Sequence, residues 1–324
     1  MKIKALAGMF VLALALFLMI VFRHDFVLAA SLLRKGLTPG LAAAIIFLTL
    51  CHFGNEPLRW WSIVCVRRPD LTPSRLYHAI TATSMITYGF PMHFGMPLRL
   101  VMAKKLLGMD YTAAGAVLVI DSLFLYGAWI LAGACGVAVM LPEWGLGTPA
   151  GVAGIMLAGA AALALFARHD WRHWQRQPLL SEAVRRFSSG LQMLSARAAL
   201  GNTLLLALDI LIYGLRHTLI LTALGVDCSL LQVTLVVAMS VFAGFASLMP
   251  LGLGGYDFSM IFLLTMIGVP REAALAVPVI NRILMISSVA VLGGISAGKL
   301  GLTWHGIKEM AKSGETRPGR EGTP

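Results

Sequence analysis

Apolar residues dominate the chain in runs at about 5–22, 41–65, 76–98, 112–141, 149–167, 202–224, 230–268 and 273–298, separated by shorter polar segments. A helix rises about 1.5 Å per residue, so about 20 apolar residues cross a hydrocarbon core of about 30 Å. Most of these runs are read as spanning helices on that measure. Two are broken. Ser247-Leu-Met-Pro-Leu-Gly-Leu-Gly-Gly-Tyr-Asp257 interrupts 230–268, and the uncharged arm after it, Phe258 to Gly268, is too short to cross, at about 17 Å. The pattern predicts a hairpin that enters the membrane and turns back inside it. Run 76–98 carries a similar break, Tyr88-Gly-Phe-Pro-Met-His-Phe-Gly-Met-Pro97. Lipid cannot satisfy the N–H and C=O groups of irregular backbone, so such breaks must be buried in protein or line a watery cavity. That makes both breaks candidate sites.

Composition fixes the class. Of 324 residues, 58% are apolar and only 13% charged, against about 25% charged in soluble domains, and the mean hydropathy is +0.81. This is the composition of a polytopic helical membrane protein. The net charge of +11 is accounted for by basic loops facing an anionic cytoplasmic leaflet, with no nucleic-acid partner. Cys51, Cys65, Cys135 and Cys228 are scattered, have no metal-ligand spacing, and are read as small buried hydrophobes. Met1-Lys-Ile-Lys and the apolar run to Phe22 exceed a signal-peptide core, and Arg23-His-Asp25 follows where small residues should precede cleavage, so a retained first helix is expected.

Loop charge gives an orientation. Arginine and lysine crowd 66–75, 99–110, 168–199 and the tail from Lys299, whereas 142–148 and 225–229 carry only Glu143 and Asp227. Positive loops stay inside. Both termini are therefore expected in the cytoplasm of a bacterial-type inner (plasma) membrane, and the two hairpins enter from opposite faces. Arg23, Arg34 and Lys35 fall outside against the trend. Opposed hairpins suggest an internal repeat. Aligning Gly108-Met-Asp-Tyr-Thr-Ala-Ala-Gly-Ala-Val-Leu-Val-Ile-Asp121 with Gly268-Val-Pro-Arg-Glu-Ala-Ala-Leu-Ala-Val-Pro-Val-Ile-Asn281 gives seven identities in fourteen positions, ending on Asp/Asn. Upstream, Pro91 and Gly95 match Pro250 and Gly254. The expected fold is all-α: a polytopic helical membrane protein with two inverted repeats, each containing a re-entrant helical hairpin. Residues 1–298 form a single integral membrane domain with halves 41–141 and 202–298, a basic cytoplasmic linker at 168–199, and a basic, disordered tail at 299–324.

Pro250-Leu-Gly-Leu-Gly-Gly-Tyr-Asp257 resembles the Pro-Gly-Gly-Leu-Gly-x-x-Glu motif of the flippase-like transmembrane region of lysylphosphatidylglycerol synthases. Pro91-x3-Gly-Met-Pro-Leu-Arg99 is similar to that family's Pro-x3-Gly-Glu-x-x-Arg, and Asn281-Arg282 falls where it has an arginine in the last helix. Met96 stands in place of the family Glu, Leu251 in place of a Gly, Asp257 is one methylene shorter than Glu, and Asp121-Ser122 replaces Glu-Arg. The resemblance implies a stand-alone translocating region without the aminoacyltransferase domain.

An ionisable group inside a span costs at least about 2.5–3.5 kcal/mol, so each needs a partner or a function. The candidates are Asp121, Asp209, Arg216 and Arg282 in spans, with Arg99 and Asp257 at the hairpins. Asp209 and Arg216 are two helical turns apart on one face, and either form a buried structural pair or flank a common cavity. Gly254 and Gly255 permit a tight turn and close ligand approach. The half-helix from Tyr256 points its free N–H groups toward mid-membrane. Asp257 either caps that helix or faces the cavity, where it favours a cationic or zwitterionic headgroup or a proton. Arg99 either meets lipid phosphate or snorkels to the interface. Arg282 and Asn281 lie deep, and His93, without a second histidine at metal spacing, is a backbone-satisfying or cavity residue. Asn55-Glu-Pro-Leu-Arg59-Trp-Trp61 reads as a kinked helix end with an aromatic belt. No metal or cofactor is expected. The function expected is a lipid flippase-like transporter, not an enzyme, whose substrate is an anionic or aminoacylated phospholipid or a lipid-linked sugar, with anionic leaflet lipids at the basic loops. The alternatives are a scaffold for a lipid- or glycan-modifying enzyme partner and an intramembrane enzyme on lipid phosphates. The second lacks any His-Glu-x-x-His, clustered Asp or Ser/His/Asp arrangement.

Overall fold

A computed structural model describes residues 23–65, 68, 70–89, 92–140, 194–246 and 254–301, with the isolated glycines 151, 154 and 159. The expected spans 5–22 and 149–167, the linker 168–193, the tail beyond 301, Pro91 and Ser247–Leu253 lie outside the described residues. The described chain is all-helical: α1 Arg23–Gly36, α2 Pro39–Val64, α3 Pro73–Gly89, α4 Met92–Leu107, α5 Tyr111–Met140, α6 Ala196–Ala223, α7 Leu230–Ala246, α8 Gly255–Met266 and α9 Arg271–Lys299. Four of them, α2, α5, α6 and α9, are long and apolar enough to cross a membrane.

Local chemistry sets the helix starts. Thr38 accepts the Leu41 N–H at 3.3 Å before Pro39, and Ser195 accepts the Ala198 N–H at 3.1 Å. Each hydroxyl satisfies a first-turn donor that has no partner inside its own helix. Gly108 and Gly268, aligned in the sequence, adopt φ of +61° and +88° and reverse the chain before α5 and α9. Only glycine does this without strain. In the α2–α3 loop, Arg68 forks onto Asp70 at 2.8 Å and holds its carboxyl below the usual carboxylate range. The same guanidinium donates to the carbonyls of Leu107 and Gly108, closing the end of α4.

The long helices are inside out by the standard of a soluble protein. On α6, Leu200, Leu204, Leu208 and Leu211 are exposed while Asn202, Asp209, Arg216 and His217 are buried. An apolar rim around polar buried groups is stable only where the surrounding solvent is itself apolar. This is a membrane protein.

Packing divides the described chain into two apolar cores. One gathers Trp60, Ile63, Leu76, Val117, Ile120 and Phe124 from α2, α3 and α5. The other gathers Ile220, Val236, Met260, Leu264, Ala274 and Val277 from α6 to α9. The helix partnerships run in parallel. Helix α2 packs on α6, α3 on α4 and α7 on α8, while α5 lies against α7 and α9 against α3. Helix α5 thus reaches the α7–α8 pair and α9 the α3–α4 pair.

Two elements depart from the sequence expectation. Residues 23–36 form a helix, packed on α6 and α9, where a loop was expected. Its Gly36 leaves no room for a side chain beside the Ala223 carbonyl. The 55–61 stretch is not a helix end: α2 continues through Pro57 to Val64 with Asn55, Arg59 and Trp60 buried. Proline there removes a backbone donor, but the tertiary contacts of Arg59 and Trp60 hold the helix past it.

Candidate functional site

Between the two cores lies a cavity of about 290 Å³ walled by side chains of α2, α4, α5, α6, α7, α8 and α9. Its polar wall includes Glu56, Arg59, Arg99, Asp121, Asp209 and Arg282. Nearly every ionisable group there is matched, which is how charges persist away from water.

The centre of the wall is an arginine cage. Arg59 donates from Nε to Asp121 Oδ1 at 2.9 Å, Trp60 Nε1 donates to Asp121 Oδ2 at 3.2 Å, and Arg59 Nη1 stands 3.8 Å from Asp209. Asp209 is hydrogen-bonded to His52 Nδ1 at 2.8 Å. The Asp209–Arg216 pairing allowed by their spacing does not form: Asp209 turns to His52 and Arg59 on α2, and Arg216 turns to α9. Two turns on one helix put residues on a common face, but at about 10 Å apart along the axis each reaches a neighbour on another helix first.

A second cluster surrounds Arg216 with neutral groups. Arg216 donates from Nη2 to Asn281 Oδ1 at 2.8 Å, meets Met285 Sδ at 3.3 Å and stacks on the Tyr213 ring. Asn281 Nδ2 donates to the Tyr256 hydroxyl at 3.3 Å. That hydroxyl lies 3.0 Å from His217 Nε2, and His217 Nδ1 lies 2.7 Å from the Tyr213 carbonyl. A carbonyl only accepts, so Nδ1 carries the proton, Nε2 accepts, and Tyr256 donates to it. Tyr256, Asn281 and Arg216 are thus joined in one polar chain, and Tyr256 and Asn281 also face the cavity.

Each hairpin contributes one ion pair at the cavity edge. Arg282 grips Asp257 through two parallel bonds, Nε to Oδ1 at 2.8 Å and Nη2 to Oδ2 at 2.6 Å. The Gly254 N–H donates to the same Oδ2 at 3.2 Å, so Asp257 both caps α8 and faces its arginine. Gly254 has φ of +85°, as the tight turn before α8 requires, and Gly255 opens that helix. Arg99 of α4 is paired with Glu56 of α2 and only 12% exposed, which corrects the snorkelling alternative. Gly244 of α7 brings the arms of the second hairpin together, since a methyl there would stand 3.1 Å from Tyr256 Cβ.

Of the residues singled out in the sequence, Arg99, Asp121, Asp209, Tyr256, Asn281 and Arg282 line the cavity, with Arg216 and Asp257 behind them as partners. His93 is on α4, and its side chain lies outside the described residues. The sequence reading passed over His52, Glu56, Arg59, Tyr126 and Tyr213, all in the wall. A signal for them exists. The offset of 157 between His52 and Asp209 also lays Leu58-Arg59 on Leu215-Arg216, one residue pair inside two otherwise unlike helices. Among the described residues no three His, Cys, Asp or Glu side chains converge as metal ligands would.

A family model described as the lysylphosphatidylglycerol synthase TM region matches residues 5–293. No curated protein and no solved structure matches the chain significantly. The family ties membrane helices to the modification or flipping of lipids. The match takes in every cavity residue named above, and the chain belongs to the lysylphosphatidylglycerol synthase transmembrane-region family.

Proposed function

We propose that this protein is a non-catalytic lipid flippase: a lipid headgroup crosses a bacterial inner membrane through the cavity while its acyl chains stay in the surrounding lipid. The observation that carries the reading is a charged, matched cavity enclosed by helices whose outer faces are leucine and isoleucine. Charged walls at membrane depth are stable around a polar cargo or a solvated vestibule and are costly anywhere else.

Two further points support translocation over simple binding. The halves 41–141 and 202–298 are read as inverted repeats with re-entrant hairpins. Support comes from the parallel packing of α5 on α7 and α9 on α3, the equivalent Arg59–Asp121 and Arg216–Asn281 contacts, and the aligned glycines at positive φ. Two similar halves related in this way can rock about a fixed site to open it to alternate faces. The second point is the placement of one ion pair between each hairpin and a long helix, Arg99–Glu56 and Arg282–Asp257. Such contacts tie a hairpin down and are breakable by a headgroup that offers the same charges. The loop charges favour cytoplasmic termini.

Purified protein in vesicles tests this by the rate at which labelled phospholipid headgroups change leaflet. The wild type is expected to accelerate the exchange, and Asp257→Ala with Arg282→Ala to abolish the acceleration in folded protein. Unchanged exchange in the double variant removes these residues from the path, and no acceleration by the wild type overturns the function.

A further inference from the structure

The charges of the cavity sort into two linked groups of opposite sign. The first, on α2, α4 and α5 with one residue from α6, joins Glu56, Asp121 and Asp209 to Arg59 and Arg99: three carboxylates against two guanidiniums. His52, bonded to Asp209, adds nothing when neutral. Among the described residues the second, on α6, α8 and α9, sets Arg216 and Arg282 against one carboxylate, Asp257. The asymmetry has two sources, and the first is Asp209, a third carboxylate whose nearest partner is His52. The second is that Arg59 meets Asp121, whereas Arg216, fully buried, meets the neutral Asn281, and its Nε has no hydrogen-bond partner. Among the described residues no carboxylate lies within ion-pair distance of Arg216.

Over the described residues the cavity is neutral in total, with an excess of one negative charge on one group and one positive charge on the other, and it complements a ligand with the reverse arrangement. We infer that the cavity selects a zwitterionic headgroup, one phosphate plus one ammonium. The phosphate is directed to Arg282, Asn281 and Tyr256, and the ammonium to Glu56, Asp121 and Asp209. The inference rests on the proposed headgroup pathway and names its cargo class. A headgroup of this kind brings its phosphate beside Arg282 and its ammonium beside Glu56, so that each added charge offsets the excess of the group it meets. An anionic headgroup satisfies only the second group, and a cationic one only the first, each leaving an unmatched buried charge.

The test uses purified full-length protein in detergent with dioctanoyl lipids, read as apparent affinity from thermal stabilisation. The probes are phosphatidylethanolamine (zwitterionic), phosphatidylglycerol (anionic) and ethylphosphatidylcholine (cationic), with free phosphoethanolamine separating a lipid ligand from a soluble one. Phosphatidylethanolamine is expected to bind about tenfold more tightly than either charged lipid, and free phosphoethanolamine more weakly than the lipid. Two substitutions should move the preference in opposite directions. Asn281→Asp matches Arg216 and shifts selection toward the cationic lipid, and Asp121→Asn removes one negative charge and shifts it toward phosphatidylglycerol. A purely structural role predicts no such reversal of sign. Equal affinity for the three lipids, preference for a charged one by the wild type, tighter binding of the free headgroup, or shifts of the same sign in both variants overturns the inference. Zwitterion-selective binding without leaflet exchange contradicts the flippase reading and leaves the selectivity standing, whereas exchange favouring phosphatidylglycerol does the reverse.

Discussion

Arg59 and Arg216 are both buried in long helices near the cavity, yet one is held by a carboxylate and the other by an amide. Around Arg59 the design is closed: Asp121 takes a bond from Arg59 and another from Trp60, and both members of the ion pair are only 4% exposed. Around Arg216 it is open-ended, passing through Asn281 and Tyr256 to His217 by neutral hydrogen bonds. The difference teaches that similarity of position does not fix the role of a charge. The first arginine is a structural member that locks α2 to α5. The second is a buried cation held by an amide, a thioether and an aromatic ring.

The comparison can be broken most severely from the closed side. Asp121→Ala leaves Arg59 buried with Asp209, at 3.8 Å, as its nearest remaining ion-pair partner among the described residues. Stranding a buried charge costs about 3–5 kcal/mol, and the remaining carboxylate puts the expected loss at the lower end, measured as unfolding of the detergent-solubilised protein. Next is Gly244→Ala, which drives a methyl to 3.1 Å from Tyr256 Cβ. Overpacking of this kind costs about 1–3 kcal/mol, and it should slow leaflet exchange by shifting Tyr256 from Asn281.

Tyr256→Phe sharpens the comparison on the open side. It removes the donor to His217 and the acceptor from Asn281 without changing shape, at an expected loss of about 1–2 kcal/mol in unfolding. The smallest effect is expected on the outer face. Leu208→Ala, exposed on the outer face of α6, should change stability by no more than about 0.5 kcal/mol, as expected of a substitution away from the packed interior. A large loss at Leu208 would mean that this face is buried against another chain.

The sequence made some of this legible and hid the rest for physical reasons. Hydropathy and length pick out α2, α5, α6 and α9, because a spanning helix must be apolar over its whole length. Intramembrane charge picks out Asp121, Asp209, Arg216 and Arg282 for the same reason. Partner choice was not legible. Asp209 and Arg216 look like a pair along one helix, and only the crossing of α2 on α6 brings His52 and Arg59 to Asp209 first. Glu56 and Arg59 were masked by Pro57 and by Trp60-Trp61, which read as a helix end at the membrane surface. The proline is instead accommodated inside α2. Helix α1 was hidden because a short, weakly apolar helix with Arg34 and Lys35 in its last turn looks like a loop.

The central claim is that the charged cavity is a passage open by turns to the two sides of the membrane. Ser122 lies in its wall, and Ser122→Cys in a protein whose Cys51, Cys65, Cys135 and Cys228 have been replaced gives a single reporter there. Reaction with a membrane-impermeant thiol reagent is measured from each side of oriented vesicles. The account predicts modification from both faces, slowed on both by a short-chain phospholipid. Modification from one face only, or from neither, contradicts it.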